Sequence, residues 1–373
     1  MEKHLHIVCL DVPYPVDYGG VFDLFYKITA LHQSGVHIHL HCFEYGRGKQ
    51  PELEKYCAET HYYPRKEGHK GFSHRLPYIV ASRINEELFA RIAMDNHPIL
   101  LEGIHCSYLL MDDRFKERKI YLRIHNTEYL YYRQLASSSG NLFHKFYYRH
   151  ESKLLKKYEK AIANRAILLT VSEQDASVYR KEFGATRVMN LPVFLPFHNV
   201  QPREGIGCFC LYHGNLSVAE NERAAGWLLK EVFNDLNVPF VIAGKNPSRS
   251  LLKKAGQQSK TCIVANPSGD DMQDMIGKAQ INIIPSFNTT GIKLKLLNVL
   301  FNGRHCIVND ATIEGSGLAA ACHVGTNANA LKSIITQLYH QPLGEEEIAL
   351  RKKLLEAEYD NLLNARRLIT WIW

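Results

Sequence analysis

The sequence predicts an α/β protein made of two tandem Rossmann-like domains. Three observations carry that expectation. Residues 1–43 read as strand, loop, helix and strand, a βαβ unit of the kind that builds parallel sheets. The same alternation restarts after residues 190–207, a stretch broken by Pro192, Pro196, Pro202, Gly205 and Gly207. Finally, 373 residues exceed the ~250–300 that a single core supports.

The first strand is the short apolar run at 6–10, followed by a Pro- and Gly-rich loop, Pro13-Tyr14-Pro15-Val16-Asp17-Tyr18-Gly19-Gly20. Residues 21–34 have helical periodicity and stop at Gly35, a residue suited to the position after a helix. A second strand follows at 36–43. Apolar runs at 99–102, 120–124 and 166–171 are further buried strands, and Ser172 with Asp175 suits the first turn of a helix. In the second half, strands are expected at 208–213, 240–243, 261–264, 281–285 and 306–309. Helices are expected at 221–233, 272–279, 292–301 and 328–339. Residues 345–373 read as one long amphipathic helical segment. The resulting division is 1–200, 201–345 and a C-terminal helix at 346–373.

Composition narrows the class. At 46% hydrophobic and 22% charged, the chain is ordinary for a globular protein, not a collagen, a coiled coil or a disordered chain. No apolar run reaches the ~18 residues of a membrane span, and His and Asp interrupt the N-terminus too early for a signal peptide. The nine cysteines include no CxxC pair, so neither a disulfide framework nor a zinc site is expected. Reduced thiols suit a cytoplasmic protein. His37, His39 and His41 alternate as one strand face, hydrogen-bonded or solvated, in preference to a metal site. The net charge of +7 permits an anionic substrate or an anionic membrane surface. No nucleic-acid partner is expected.

Five segments carry candidate chemistry. In Tyr212-His213-Gly214-Asn215-Leu216-Ser217, Gly214 lies where a strand ends and a helix should begin, the edge of an α/β sheet where ligands bind. Ser217 and Glu220 have capping-box spacing. The alternative is a plain turn. In the segment 283–298, a strand ends at Pro285 and a polar loop containing Gly291 leads into a helix whose start carries Lys293 and Lys295. A helix N-terminus is already positive, so two lysines there call for an anion such as a diphosphate, unless both are simply solvated. Lys295 and Asn298 share a helix face. Gly19 and Gly20 let backbone approach a ligand closely, though no G-x-G-x-x-G is present. His125, after the strand at 120–124, sits where acid–base or polar contact work is done, although a lone histidine is often structural. Residues 141–165 form a basic amphipathic helix. Its apolar positions (Phe143, Phe146, Tyr147, Leu154, Leu155, Tyr158 and Ile162) fit a core-facing stripe or an anionic bilayer.

Taken together, Gly214 with Asn221, then Val241-Ile242-Ala243-Gly244, Pro285, Gly291-Ile292-Lys293-Leu294-Lys295-Leu296-Leu297 and Glu314-Gly315 resemble the C-terminal half of GT-B glycosyltransferases, family 4-like. The His125-Asn126-x-Glu128 stretch and the Gly19-Gly20 loop resemble features of their N-terminal half. The resemblance implies two Rossmann-like domains facing a central cleft, with the terminal helix crossing back. It implies transfer of a sugar from a nucleotide-sugar to an acceptor hydroxyl, in cell-surface polysaccharide or glycolipid synthesis, without a cofactor or a required metal. Gly19, Gly20, Gly214, Asn215, Gly291, Lys293, Lys295 and Asn298 would serve the donor, and His125 the transferred sugar or acceptor. The acceptor is expected to be a carbohydrate or lipid-linked, with peripheral contact at the inner membrane face. Asn298 and Thr290 stand where the family usually carries glutamates; asparagine keeps an acceptor oxygen but not the charge. An epimerase on the same fold and a binding protein without turnover are the alternatives.

Overall fold

The structure, a computed structural model, describes residues 2–16 and 19–373. Asp17 and Tyr18 of the first glycine loop lie outside the described residues. The chain divides into two compact units.

The first unit comprises Met1–Pro196, Thr290–Ile292 and Tyr359–Trp373. Its strands are β1 (Lys3–Cys9), β2 (Val36–Glu44), β3 (Glu59–Pro64), β4 (Ile99–Glu102), β5 (Ile120–Ile124), β6 (Ile167–Thr170) and β7 (Val188–Asn190). They form one sheet in the order β3-β2-β1-β4-β5-β6-β7, every pair parallel. Parallel strands need crossover helices, and those helices cover both faces of the sheet. Side chains therefore alternate between two cores. Leu100, Tyr121 and Leu169 pack with Leu24, Ile28, Leu368 and Ile372. Their chain neighbours Leu101, Leu122 and Leu168 pack on the other face with Leu155, Ile162 and Tyr179. Each such fully buried side chain contributes roughly 1.5–3 kcal/mol.

The second unit comprises Phe197–Thr289 and Lys293–Glu358. Strands β8 (Cys210–His213), β9 (Phe240–Gly244), β10 (Thr261–Ala265), β11 (Ile281–Ile284), β12 (His305–Val308) and β13 (His323–Val324) are ordered β10-β9-β8-β11-β12-β13 and are again parallel. In each sheet the order reverses beside the first strand of the unit, between β1 and β4 and between β8 and β11. Such a switch point opens a crevice at the carboxyl ends of the strands.

Several expectations need correction. Ser217 and Glu220 do not form a capping box: the helix Ala219–Trp227 has Val218 at its N-cap, with no capping side chain. Asn215 takes over locally, its Oδ1 accepting from Ser217 N at 3.1 Å and Ser217 Oγ at 2.7 Å. Such an Asx turn competes with helix initiation. The final stretch is two helices, Glu345–Leu355 and Asn361–Ile372, because Asp360 caps a new start through Leu363 N at 2.7 Å. The second of them belongs to the first unit, where Asn361 bonds Leu195 N and O at 3.0 and 2.7 Å and Lys119 Nζ donates to the Ile372 carbonyl at 2.7 Å. The strand at 208–213 starts two residues late, at Cys210. The strand histidines form a hydrogen-bonded face: His4 Nδ1 to His39 Nε2 and His6 Nδ1 to His41 Nε2 are both 3.0 Å.

Gly244 ends β9 against the Gly214 carbonyl, where any Cβ would overlap that oxygen. Since a backbone atom cannot step aside, Gly244→Ala is expected to destabilise the fold by about 3 kcal/mol or more. Gly140→Ala, whose Cβ meets open space, should change stability little. Urea denaturation of both variants checks this contrast.

Candidate functional site

The second unit gathers polar groups at the β8–β11 switch point. His213 is the last residue of β8, and the loop after β11 leads to the helix Leu294–Asn302. Lys295 lies in the first turn of that helix. Its ammonium donates to Asn221 Oδ1 at 3.1 Å, lies 3.5 Å from the Tyr212 hydroxyl and sits 5.0 Å from the Tyr212 ring centroid. Burial lowers its pKa to about 8; the Glu220 carboxylate opposes that shift and Lys293 adds to it. Among the described residues Lys295 has no ion-pair partner: Asn221 and Tyr212 are neutral, and Glu220 Oε1 accepts instead from Ser286 Oγ at 2.7 Å. A partly buried cation whose hydrogen-bond partners are all neutral is incompletely compensated.

Further polar groups surround Lys295. Lys293 is the N-cap residue of the helix, and no side chain caps the helix start. Asn221 Nδ2 donates to the Asn215 carbonyl at 2.9 Å, so Asn221 braces the turn at Gly214–Asn215 and Lys295 together. Gly214 suits this packing, since a Cβ there would come within 3.3 Å of the Asn221 amide. His213 is buried, and burial followed by the charge of Lys295 lowers its pKa to about 3, so it is neutral. Its Nε2 has no hydrogen-bond partner. Ser286 is fixed through its N–H to Asn309 Oδ1 at 2.9 Å. Asn298 is turned along its own helix, its Oδ1 accepting from Asn302 Nδ2 at 2.9 Å.

The first unit carries a different cluster at the carboxyl edge of β4 and β5. Glu102 and Arg123 pair in register across these strands. Asp23 and Lys27, one turn apart on the helix Gly19–Gln33, complete a set of three ion pairs. Lys27 Nζ is 2.8 Å from Asp23 Oδ2 and 2.7 Å from Glu102 Oε1, and Arg123 Nε is 3.0 Å from Asp23 Oδ2. Burial opposes ionisation of Asp23, but Arg123 and Lys27 hold its carboxyl well below the usual range. Removing one member of such a buried set costs about 3–5 kcal/mol. His125, 21% exposed, joins the set: Nε2 lies 3.2 Å from Glu102 Oε2 and Nδ1 3.8 Å from Asp23 Oδ2. Carboxylates at both nitrogens fix the ring's orientation. Nearby, burial raises the Glu128 pKa to about 7, with its Asn126 hydrogen bond opposing.

Gly214, Asn215, Lys293, Lys295 and Asn298 therefore lie in the second unit and His125 in the first. Gly291 has φ +64° and groups with the first unit, where any Cβ would overlap Asn126 Oδ1. Gly19 and Gly20 begin the helix Gly19–Gln33 that carries Asp23. Sequence reasoning missed Asp23, Lys27, Glu102, His213, Asn221 and Ser286 as site members. Only Asn221 had a signal, its fixed distance from Gly214.

No family model matches the chain. An uncharacterised 44.6 kDa protein in the cps region of Klebsiella pneumoniae is 26% identical over 330 residues, 83% of this chain and 84% of its own. The structure of S. aureus TarM superposes with a TM-score of 0.71 at 10% identity, covering 100% of this chain and 99% of TarM. A glycosyltransferase from Rickettsia africae gives 0.66 at 14% identity, covering 100% and 98%. HepE of Anabaena, crystallised with UDP and glucose, gives 0.67 at 10% identity, covering 99% of both chains. With two parallel sheets of seven and six strands, the chain has the two-domain GT-B fold of glycosyltransferases.

Proposed function

We propose that the chain is a glycosyltransferase that moves a sugar from a nucleoside-diphosphate sugar to an acceptor hydroxyl, in synthesis of a cell-surface polysaccharide or glycolipid. The observation that carries this reading is Lys295, a partly buried cation without an ion pair, at an uncapped helix start on the sheet's switch point. A diphosphate is the anion that such a place accommodates. The GT-B fold, the neighbour bound to UDP and glucose and the relative from a cps region support the same reading.

In the reaction the bond from the sugar's anomeric carbon to the diphosphate oxygen breaks, a bond from that carbon to the acceptor oxygen forms, and the acceptor's hydroxyl proton passes to the leaving diphosphate or to solvent. The leaving diphosphate gains charge, which Lys293, Lys295 and the Asn215 N–H stabilise, whereas the Gly214 N–H, expected to share that role, is engaged by the Ala243 carbonyl at 3.1 Å. Lysines and the helix dipole take the place of a divalent ion at the diphosphate, so transfer is expected to survive EDTA. His125 serves the transferred sugar or acceptor; a hydroxyl reaching its Nδ1 has only the longer Asp23 contact to displace.

Asn298 is the ribose-facing residue of this proposal, but its acceptor oxygen is engaged by Asn302, which favours a second reading: a donor-binding protein without turnover. Acceptor-dependent release of the nucleoside diphosphate separates the two, and isomerised nucleotide-sugar without release would mark an epimerase.

The acceptor's chemistry is read from the helix Leu142–Ile162. Its buried residues Glu151, Leu155, Tyr158 and Ile162 form the core-facing stripe, but Phe143 and Phe146, expected in that stripe, are 85% and 70% exposed. With Leu142, they make an apolar tip beside Lys145, Arg149 and Lys153, a combination suited to an anionic bilayer and a lipid-linked acceptor. No helix among the described residues is long and apolar enough to cross a membrane.

Four outcomes are expected. Calorimetric titration with UDP, GDP, ADP and TDP should identify one binder, and Lys295→Met should weaken it by roughly tenfold to a hundredfold. Because the free lysine loses its proton near pH 8, wild-type affinity should fall about tenfold from pH 7 to pH 9, and Lys295→Met should lack that dependence. A nucleotide affinity that ignores both the variant and the pH would sink the donor site. His125→Ala should cut turnover about a hundredfold or more while nucleotide affinity stays within a few fold. Co-sedimentation with anionic vesicles should fall with salt and with Phe143→Ser/Phe146→Ser; equal recovery on neutral vesicles counts against membrane contact.

A further inference from the structure

Three clusters of side chains have ligand atoms close enough together for a metal ion: Asp23, Glu102 and His125; His4, His39 and His97; and His305, His323 and Glu347. In the first, Lys27 and Arg123 already compensate both carboxylates. In the second, the rings are stacked, with His4 and His39 tilted by only 17° and 12° from His97. Imidazole lone pairs lie in the ring plane, so parallel rings direct theirs side by side, not to a common point. The third differs on each count. His305 and His323 are inclined at 63°, which lets their lone pairs converge. His305 Nε2 donates to the Gln341 carbonyl at 2.9 Å, and this fixes the tautomer and leaves Nδ1 as a bare lone pair. That Nδ1 is buried, has no hydrogen-bond partner, and faces Glu347 Oε2 at 3.7 Å. His323 Nε2 also lacks a hydrogen-bond partner and lies 3.3 Å from the same oxygen. The other carboxylate oxygen, Oε1, is held by Arg351.

A lone pair facing a carboxylate oxygen is repulsive unless a cation lies between them. We propose that His305 Nδ1, His323 Nε2 and Glu347 Oε2 form a site for a divalent transition-metal ion, zinc by ligand type. Bonds of ~2.0–2.2 Å in a tetrahedron set ligand atoms about 3.4 Å apart, close to the 3.3 and 3.7 Å found here. The Gln341 carbonyl and Arg351 supply the outer hydrogen bonds that metal-binding imidazoles and carboxylates use. His323, partly exposed, leaves the fourth position to water. The site's role is structural. His305 begins β12 at the amino edge of the sheet and His323 begins β13 level with Ile307, whereas the β8 and β11 ends that lead to Lys295 are at the carboxyl edge. A metal here ties two strands to the helix Glu345–Leu355.

The test uses the full chain, stripped with chelator and dialysed, with Zn2+ alone as the probe. One equivalent should bind by calorimetric titration, and Tm should rise by about 5 °C or more at a hundredfold excess over Kd. Co2+ should give the visible absorption of a tetrahedral site. His323→Gln and Glu347→Gln, which alter partly exposed side chains, should fold yet lose the Zn2+-dependent rise in Tm and the Co2+ spectrum, while His39→Gln keeps both. The proposal is overturned if the stripped protein gains no stability from Zn2+, if the gain persists in both variants, or if it is lost with His39→Gln instead. Stability that follows pH but not metal would identify a proton as the cation between these groups, and it too overturns the site.

Discussion

A parallel sheet must be covered on both faces, and the rest of this structure follows from that requirement. Because crossover helices occupy both sides, the strand interiors are apolar on alternating faces, as Leu100 and Leu101 or Leu168 and Leu169 illustrate. Polar side chains that need fixed positions are therefore pressed to the strand ends. The carboxyl edge receives the loops that begin each crossover helix. Glu102, His125, His213 and Ser286 all sit at or just beyond such an end.

The two units treat buried charge in opposite ways. In the first, two carboxylates face two cations, and backbone groups complete the set: Phe194 N donates to Asp23 at 2.8 Å, and Arg123 donates to the Leu191 and Pro192 carbonyls. Such a set holds its shape without a ligand and orients His125. In the second, Lys295 has only neutral hydrogen-bond partners, and the Glu220 carboxylate, which accepts from Ser286, acts on it without a direct ion pair. A compensated cluster serves rigidity, whereas an uncompensated cation serves recognition, because the anion that completes it is supplied from outside.

The opposite edge of the second sheet gives the same reasoning a different result. His305 and His323 begin two neighbouring strands, with a ring nitrogen of each 3.7 and 3.3 Å from Glu347 Oε2. A cation bound there would consolidate the short strand His323–Val324, which has few ladder contacts of its own.

How much was legible depends on the range of the interaction involved. Periodicity of 2 or 3.6 is local, so the βαβ order, the strands near 99, 120, 167, 210, 240 and 281, and the helix carrying Lys293 and Lys295 could be read from the sequence. The edge strand β3, Glu-Thr-His-Tyr-Tyr-Pro, escaped notice because an edge strand need not be apolar. Local competition misled the reading once, where the Asn215 side chain displaced the expected Ser217 cap. The partners of a buried polar group are not local at all. Asp23 meets Arg123 one hundred residues away, and His305 meets Glu347 forty-two residues away. Strand order and register decide those meetings, and parallel strands are joined only through long crossovers. By itself, the sequence determined the fold class and the lysine-bearing helix start. The tertiary structure decided which of nineteen histidines stand beside carboxylates, and that Lys295 has no ion-pair partner among the described residues, because both depend on neighbours brought in from distant strands.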